Sequence, residues 1–412
     1  MRNLFKIAIR NLIRYKRRTL LTASLITIGV VFVLVFISIT GSFKAMMIGQ
    51  ITDSMLGHVQ IHRKGYVASI DNLPLNLNMK PGAYTKVETV LKAAPEVEAF
   101  SPRLKFGGMF SNFTETTNIR LNGVYPDREF RTVPLLISRI SEGKKTLNRG
   151  EILIPTLLAK GLKVKPGDVV VVVATNADGS VNGKQFIVAG TLESATGPGG
   201  RDGYIHIEDA AEVLRMTETE VSEVAVRLRD FSLLPGAVKQ LESKVSGEVN
   251  KEGRPMFEVH SWEQLSPFFN IARMIDVMTF FIKIMLIAIV LISIMNVMIM
   301  AVYERIREIG TIAAIGTLPG RIRSMFIIEG FCLGIAGAFI GGLLGSAVIL
   351  IVNLIGIHFD FGMQKGLLLK AALQPSDLLT VSVIVIVVAV AASLQPAFKA
   401  SKMEPIDALR HV

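Results

Sequence analysis

Apolar residues run almost unbroken in four places along this chain and alternate with polar ones elsewhere. Thr19 to Phe43 carries no charge for 25 residues, where about 20 suffice to cross a bilayer as a helix. A second run extends from Asp276 to Val302 and is interrupted only by Lys283, whose long stem can reach an interface. Ser324–Asn353 and Leu378–Phe398 are the third and fourth runs. The first follows a basic start, as a signal peptide does, but it is too long for a signal core and no A-x-A-like site follows it. We read it as a retained helix. The spans are therefore 19–43, 277–302, 324–353 and 378–398.

The pattern between the first two spans is that of a water-soluble domain, 44–276. Lys44–Leu56 continues as a helix that leaves the membrane. At the far end, Ser261-Trp-Glu-Gln264 matches a capping box and Ser266-Pro267 offers a second start. Leu265, Phe268, Phe269, Ala272 and Ile275 then recur at helical spacing. Both connections thus look like rigid stalks. Val87, Val90, Leu91 and Ala94 mark one amphipathic helix, and Val238, Leu241 and Val245 another. Val224, Val226 and Leu228 alternate with Arg227 and Arg229 as a strand does. The stretch 119–220 reads mostly as strand, with Val169–Val173 and Phe186–Ala189 its clearest members. The expected plan is an α/β subdomain from 57–118 and 221–260, with a β-rich insertion at 119–220.

Charge orients this plan. The net charge of the 412-residue chain is +11, a sign that suits nucleic acid. Its placement argues instead for a membrane flank, because seven of the basic residues and no acidic one fall in the first eighteen positions. That segment, the 303–323 loop and the 399–412 tail carry seven, four and three Lys/Arg, while the 354–377 loop carries Lys365 and Lys370. By the positive-inside rule both termini are cytoplasmic and 44–276 is external. Half the residues are hydrophobic and 19% are charged, against about 25% in soluble domains. The single cysteine, Cys332, excludes an intrachain disulfide.

Candidate chemistry is sparse. Gly179-Ser-Val-Asn-Gly183-Lys184-Gln185 has one residue too few between its glycines for a phosphate loop, and Gln stands where Ser or Thr would bind Mg²⁺. It reads as a hairpin turn. Gly197-Pro-Gly-Gly-Arg-Asp-Gly203 reads as a loop. His58 and His62 would share one strand face, but no further ligand with familiar spacing joins them, so no metal is expected. No Ser/His/Asp arrangement stands out, although such triads assemble in space, and a membrane-tethered hydrolase stays open as a reading from another class. In the third span, Gly330, Gly334, Gly337, Gly341 and Gly345 line one helix face and allow close packing. The spacing leaves open whether their partner is in this chain or a second copy. Glu329 is an intramembrane carboxylate that Arg321 or Arg323 can neutralise.

Two segments carry a more specific likeness. They are Val302-Tyr-Glu304-Arg305-Ile-Arg307-Glu308-Ile-Gly310 through Gly316, continuing into Phe326-Ile-Ile-Glu329-Gly330, and the tail Pro396-Ala-Phe-Lys-Ala400 through Pro405-Ile-Asp-Ala408-Leu409-Arg410. Both resemble the carboxy-terminal permease module of the MacB/FtsX/LolC–LolE family of ABC transporters. Ala8, Arg10-Asn11-Leu12 and Arg18-Thr-Leu-Leu21 resemble that family's amino-terminal cytoplasmic helix, here 1–18. The resemblance implies a helical membrane protein with four transmembrane helices, one plus three, and a large α+β extracytoplasmic domain. That domain would have a porter-like α/β part and a β-rich sabre-like part. It implies a non-catalytic subunit with no cofactor of its own, ATP and Mg²⁺ being held by a separate cytoplasmic ATPase. Coupling to that ATPase would fall on Glu304, Arg305, Arg307, Glu308, Gly310 and Gly316. A second permease copy or paralogue and membrane lipids are the other implied partners, nucleic acid is not, and the setting is a bacterial inner membrane. Gly57-His58-Val59-Gln60-Ile61 after the first stalk looks most like the lipoprotein-releasing LolC/LolE branch, which adds a periplasmic lipoprotein carrier. Peptide or small-molecule export of the MacB kind is the alternative. For lipoprotein release, acyl chains would enter a cleft lined by Phe36, Phe43, Met46 and Met47 on the first helix and stalk and by Phe268, Phe269, Met274 and Met278 on the second. Ordinary helix packing explains the same residues.

Overall fold

A computed structural model of the chain describes residues 2–193, 200–248, 255–361 and 364–404. Gly197-Pro-Gly199 and the Pro405–Arg410 part of the tail lie outside the described residues. The chain begins with α1 (Arg2–Arg14) and α2 (Lys16–Ile51), which ends in a π-helical turn at Thr52–Leu56. There follow β1 (Val59–Arg63), α3 (Pro81–Lys92), β2 (Val97–Ser111), β3 (Thr116–Val124), α4 (Pro126–Thr132), β4 (Ile140–Gly143), β5 (Glu151–Pro155) and α5 (Thr156–Gly161). Next come β6 (Val169–Thr175), β7 (Val181–Leu192), β8 (Asp202–His206), α6 (Ile207–Val213), β9 (Glu223–Leu228), α7 (Leu234–Ser246), β10 (Phe257–Ser261) and α8 (Trp262–Leu265). Last are α9 (Phe268–Glu304), α10 (Ile306–Ala314), α11 (Pro319–Ile355), β11 (Ile357–Phe361), β12 (Gln364–Leu369) and α12 (Pro375–Ser401). Two compact units result: Met1–Lys44 with Arg273–His358 and Leu368–Val412, and Ala45–Ala272 with Phe359–Leu367.

The first unit is helical. Among the described residues, four helices are long and apolar enough to cross a membrane, beginning at Thr19, Phe268, Pro319 and Pro375. Their shared core holds Ile26, Val30 and Leu34 of α2, Val290, Ile294 and Met298 of α9, Phe326 and Leu333 of α11, and Val385 and Ala389 of α12. The glycine stripe finds its partners inside the chain. A Cβ on Gly330 or Gly334 would collide with Ser393 or Ala389 of α12, and one on Gly341 would stand 2.7 Å from Val30 Cβ of α2. Gly337 and Gly345 face Ile26 and Leu34 of the same helix. One stripe thus seats two helices in succession. The 354–377 loop contains the β11–β12 pair. It is pinned where Asn353 donates to Ala371 O at 2.9 Å and accepts from Ala371 N at 2.8 Å. Ala372 N donates to Ser42 Oγ at 2.8 Å as well.

The second unit is built on one mixed ten-stranded sheet. At one end, β10, β1, β9 and the first half of β2 run antiparallel. Val87 and Leu91 of α3 and Ala237, Leu241 and Val245 of α7 pack on Val59, Ile61, Val224, Val226 and Val259 of these strands. β2 then passes into a second structure. Its other half pairs with both β3 and β6, and the ring β2–β3–β8–β5–β7–β6 closes on itself. Closure removes the edges that an open insertion would expose. Gly108 permits it, because a Cβ there would sit 2.8 Å from Val173 O of β6. The barrel interior holds Leu104, Phe106, Phe110, Leu121, Ile154, Val172, Phe186 and Ile205.

Two expectations need correction here. The insertion does not begin at 119: its core already takes Leu104, Phe106 and Phe110 from β2, since one 15-residue strand serves both parts. The segment 119–220 also contains α4, α5 and α6, of seven, six and seven residues. Helices of two turns are too short to show a 3.6-residue period in the sequence. The predicted capping box is present. Ser261 N donates to Gln264 Oε1 at 3.2 Å and starts the short α8, after which Phe268 N donates to Ser266 Oγ and α9 begins.

Candidate functional site

In the helical unit, charged side chains meet where α9 breaks into α10. Arg305 lies between the two helices with φ −113° and ψ 16°, which ends α9 without a proline. Its guanidinium turns inward and is 5% exposed. Nη1 donates to Glu329 Oε1 of α11 at 3.0 Å, and Nε donates to Glu308 Oε2 of α10 at 3.1 Å. Asn11 of α1 donates to the same Glu329 oxygen at 2.8 Å, and Arg14 of α1 reaches Glu308 Oε1 at 3.3 Å. The rings of Tyr15 and Phe326 lie 6.0 and 5.9 Å from the Arg305 guanidinium carbon. A single chain of ion pairs therefore fastens α1, α10 and α11 together. Removing one partner of such a buried pair leaves a lone charge and costs about 3–5 kcal/mol.

The partner of Glu329 is thus Arg305, not Arg321 or Arg323. Those two lie eight and six residues before it on one helix, whereas side chains meet at spacings of three or four. Arg323 stacks over Phe398 of α12 at 4.9 Å.

The opposite face of α10 is open. Glu304, Arg307 and Thr311 are exposed, as are Ile315 at 81% and Leu318 at 63%. Gly310 is buried. Gly316 has φ +95°, a left-handed backbone that glycine adopts without penalty, and it turns the chain from α10 into Pro319 at the start of α11. The six expected coupling residues thus divide. Arg305 and Gly310 face inward, Glu308 holds the ion-pair chain, and Glu304, Arg307 and Gly316 remain on the outside.

The expected acyl cleft divides too. Phe36, Phe43, Met274 and Met278 belong to the helical unit, where Met274 and Met278 are 60% and 47% exposed. Met47 is buried in the core of the α/β unit, and Phe268 and Phe269 pack against that core. Met47 thus belongs to the protein's own interior, which corrects its assignment to a cleft, while Phe268 and Phe269 are half-buried beside that core. Met46 belongs to the same unit and is half-buried.

One cluster went unseen in the sequence. Arg103 of β2 lies fully buried between Glu129 of α4, at 2.6 Å, and Glu223 of β9, at 3.0 Å. Lys105 reaches the other Glu223 oxygen at 3.0 Å, and His62 stands 3.6 Å from it. Burial pushes the Glu223 carboxyl up, but Lys105, His62 and Arg103 outweigh it and hold the group well below the usual carboxylate range. The sequence signal was slight: Arg103 and Lys105 flank Leu104, and Glu223 precedes the apolar Val224-Ala-Val226.

Nearby, His58 Nδ1 accepts from Leu228 N at 3.0 Å, which leaves Nε2 to donate to Asp53 Oδ1 at 3.2 Å. Asp53 also receives Arg227 at 2.5 Å. Burial alone would raise the Asp53 pKa, and these two partners lower it. Among the described residues no group of three His, Cys, Asp or Glu is arranged to hold a metal ion. Gly179 and Ser180 lie in the β6–β7 turn, and Val181–Gly183 begin β7, with Val181 opposite Thr175.

Four apolar helices, a mixed α/β unit between the first two, and a broken-helix elbow define a membrane-spanning permease. Residues 19–244 match the MacB-like periplasmic core domain, and residues 280–405 match the FtsX-like permease C-terminal domain. The first match spans more than half of the chain, and the chain belongs to that family: it is an ABC transporter permease of the MacB/FtsX/LolC type.

Among its relatives is the lipoprotein-releasing system transmembrane protein LolC of Neisseria meningitidis serogroup B, 24% identical over 95% of this chain and 94% of that protein. The macrolide export ATP-binding/permease protein MacB of Neisseria gonorrhoeae is 35% identical over 34% of this chain and 21% of its own length. The crystal structure of the periplasmic region of MacB from Actinobacillus actinomycetemcomitans aligns with 52% of this chain and 92% of that one, at 12% identity and a TM-score of 0.35.

Proposed function

We propose that this permease extracts lipoproteins from the inner membrane for transfer toward the outer membrane, driven by a separate cytoplasmic ATPase that holds ATP and Mg²⁺. The observation that carries this reading is the end-to-end pairwise similarity to a LolC protein, against a pairwise match to a MacB protein over 34% of the chain. The ATPase would dock on the outer face of α10, with Ile315 and Leu318 as apolar anchors and Glu304 and Arg307 as its charged rim. Arg305, Glu308 and Glu329 would carry that push to α11 and α1. A second permease copy or paralogue would complete the transporter, and a soluble periplasmic carrier would receive the cargo. Acyl chains would enter beside Phe36, Phe43, Met274 and Met278, whose pliable apolar surfaces suit varied tails.

The test is co-reconstitution in proteoliposomes with the ATPase that co-purifies from native membranes. The chain alone should hydrolyse no ATP. The complex should release triacylated lipoprotein to a soluble acceptor in an ATP-dependent manner, and a photo-crosslinker at Phe43 or Met278 should capture that lipoprotein and lose it when ATP is added. Arg305→Ala should keep the ATPase bound while abolishing release. Hydrolysis stimulated by peptides or macrolides, with lipoprotein left in the bilayer, would replace this reading with export.

A further inference from the structure

Helix α1 presents three different faces. Ala8 is fully buried, Asn11 binds Glu329, and Leu12 packs on the helical core. Phe5, Ile9 and Ile13 follow each other at intervals of four and are 43%, 38% and 59% exposed. Lys6, Arg10 and Arg14 follow at the same interval, one residue further on, and are exposed as well. One residue is about 100° of helix rotation, so an apolar stripe and a basic stripe run side by side along the outside of α1. After Tyr15 the chain enters α2, whose uncharged run starts at Thr19. The apolar stripe therefore lies within a few turns of a membrane span, and the first eighteen residues hold seven basic and no acidic side chains.

We propose that α1 lies in the headgroup layer and binds anionic phospholipid. Phe5, Ile9 and Ile13 would sit at the acyl boundary, and Lys6, Arg10 and Arg14 at the phosphates. A helix with an apolar face, a basic face and little net hydrophobicity settles in this plane. Negative lipid is the occupant that matches the charge. Because Asn11 and Arg14 also hold Glu329 and Glu308, the lipid surface sets the position of α10. That last link rests on the coupling role given to α10 above; the lipid binding itself does not.

Each basic residue near an anionic surface strengthens attraction roughly fivefold, so the double variant Lys6→Gln/Arg10→Gln should weaken seating by about thirtyfold. The full-length chain is labelled with an environment-sensitive fluorophore on Ile9→Cys, with Cys332→Ala removing the native thiol. It is placed in vesicles of phosphatidylcholine alone or of phosphatidylcholine with phosphatidylglycerol. The label should be shielded from a water-soluble quencher in the mixed vesicles and exposed in the neutral ones. High salt or the double variant should expose it in both, and Lys6→Arg/Arg10→Lys should restore shielding. Three results overturn the proposal: equal shielding in both lipids, shielding that tracks protein density in the membrane, or shielding that appears only with the ATPase. The measurement needs no ATP, so its failure leaves the coupling role of α10 standing, and failure of coupling leaves the lipid site standing.

Discussion

Glu223 shows how much a single side chain holds together. It joins β9 to β2 through Arg103 and Lys105, and Arg103 in turn reaches Glu129 of α4. The joint falls where β2 leaves the four-stranded end of the sheet and enters the barrel. A carboxyl whose folded pKa lies below its ordinary value of 4.5 adds stability that is fully present above that value and is lost as pH falls through the folded pKa. Trp262 is 2% exposed and packs on Phe269 at 6.0 Å within this unit, so its fluorescence reports the unit's unfolding. Glu223→Gln should cost about 3 kcal/mol at neutral pH. The difference from the native chain should narrow in acid, because protonation removes the same charge. An equal loss at every pH would mean that shape, not charge, matters at this position. The sequence could not show this cluster, because its members lie far apart in the chain and meet only when β2 pairs with β9.

Helices and strands with a long period were legible beforehand, and short or shared ones were not. The four spans, the α3 and α7 stripes and the α8 cap follow from spacing over two or more turns or from a local motif. The barrel does not, because closure depends on β6 pairing with β2 more than fifty residues upstream. The candidate site divides in the same way. Its glycines and the α10 segment stand in the sequence, but the Arg305–Glu329 pair requires α11 to fold back past the Gly316 turn. The glycine stripe gives the test at this scale. Gly341→Leu should destabilise α11 against α2 by about 1–3 kcal/mol or more, and Val30→Ala should restore part of that loss. Gly41 of α2 has nothing within 4 Å of an added Cβ, so Gly41→Ala should cause no loss and a gain of about 0.5–1 kcal/mol. Thermal exposure of Cys332, half-buried on α11, to a thiol dye reads both changes in the unit where they act. Equal effects at Gly341 and Gly41 would show that backbone freedom, not contact, explains the stripe.

At the scale of the whole chain, function depends on which surfaces face the cell interior. The ATPase can reach α10 only if the 303–323 loop is cytoplasmic. Lys and Arg number seven, four and three in the amino-terminal segment, that loop and the carboxy-terminal tail, against two in the loop between the last two spans. By the positive-inside rule such an asymmetry predicts that the basic segments lie inside. If the four helices of spanning length among the described residues all cross, the number of crossings is even, and both ends lie on one side with the α/β unit on the other. Single cysteines introduced at Asn148 or Asp178 on a Cys332→Ala background should therefore react with a membrane-impermeant reagent in intact cells. Cysteines at Ala313 and Ser401 should react only after permeabilisation. Labelling of Ala313→Cys from outside would invert the chain and remove α10 from any cytoplasmic partner. Labelling of Ser401→Cys alone from outside would mean that one of the four helices does not cross, and α12, the shortest at 27 residues, would be the first to re-examine. Charge predicts which side is the interior, helix count asks only that the two ends share a side, and the labelling pattern decides whether the open face of α10 lies there.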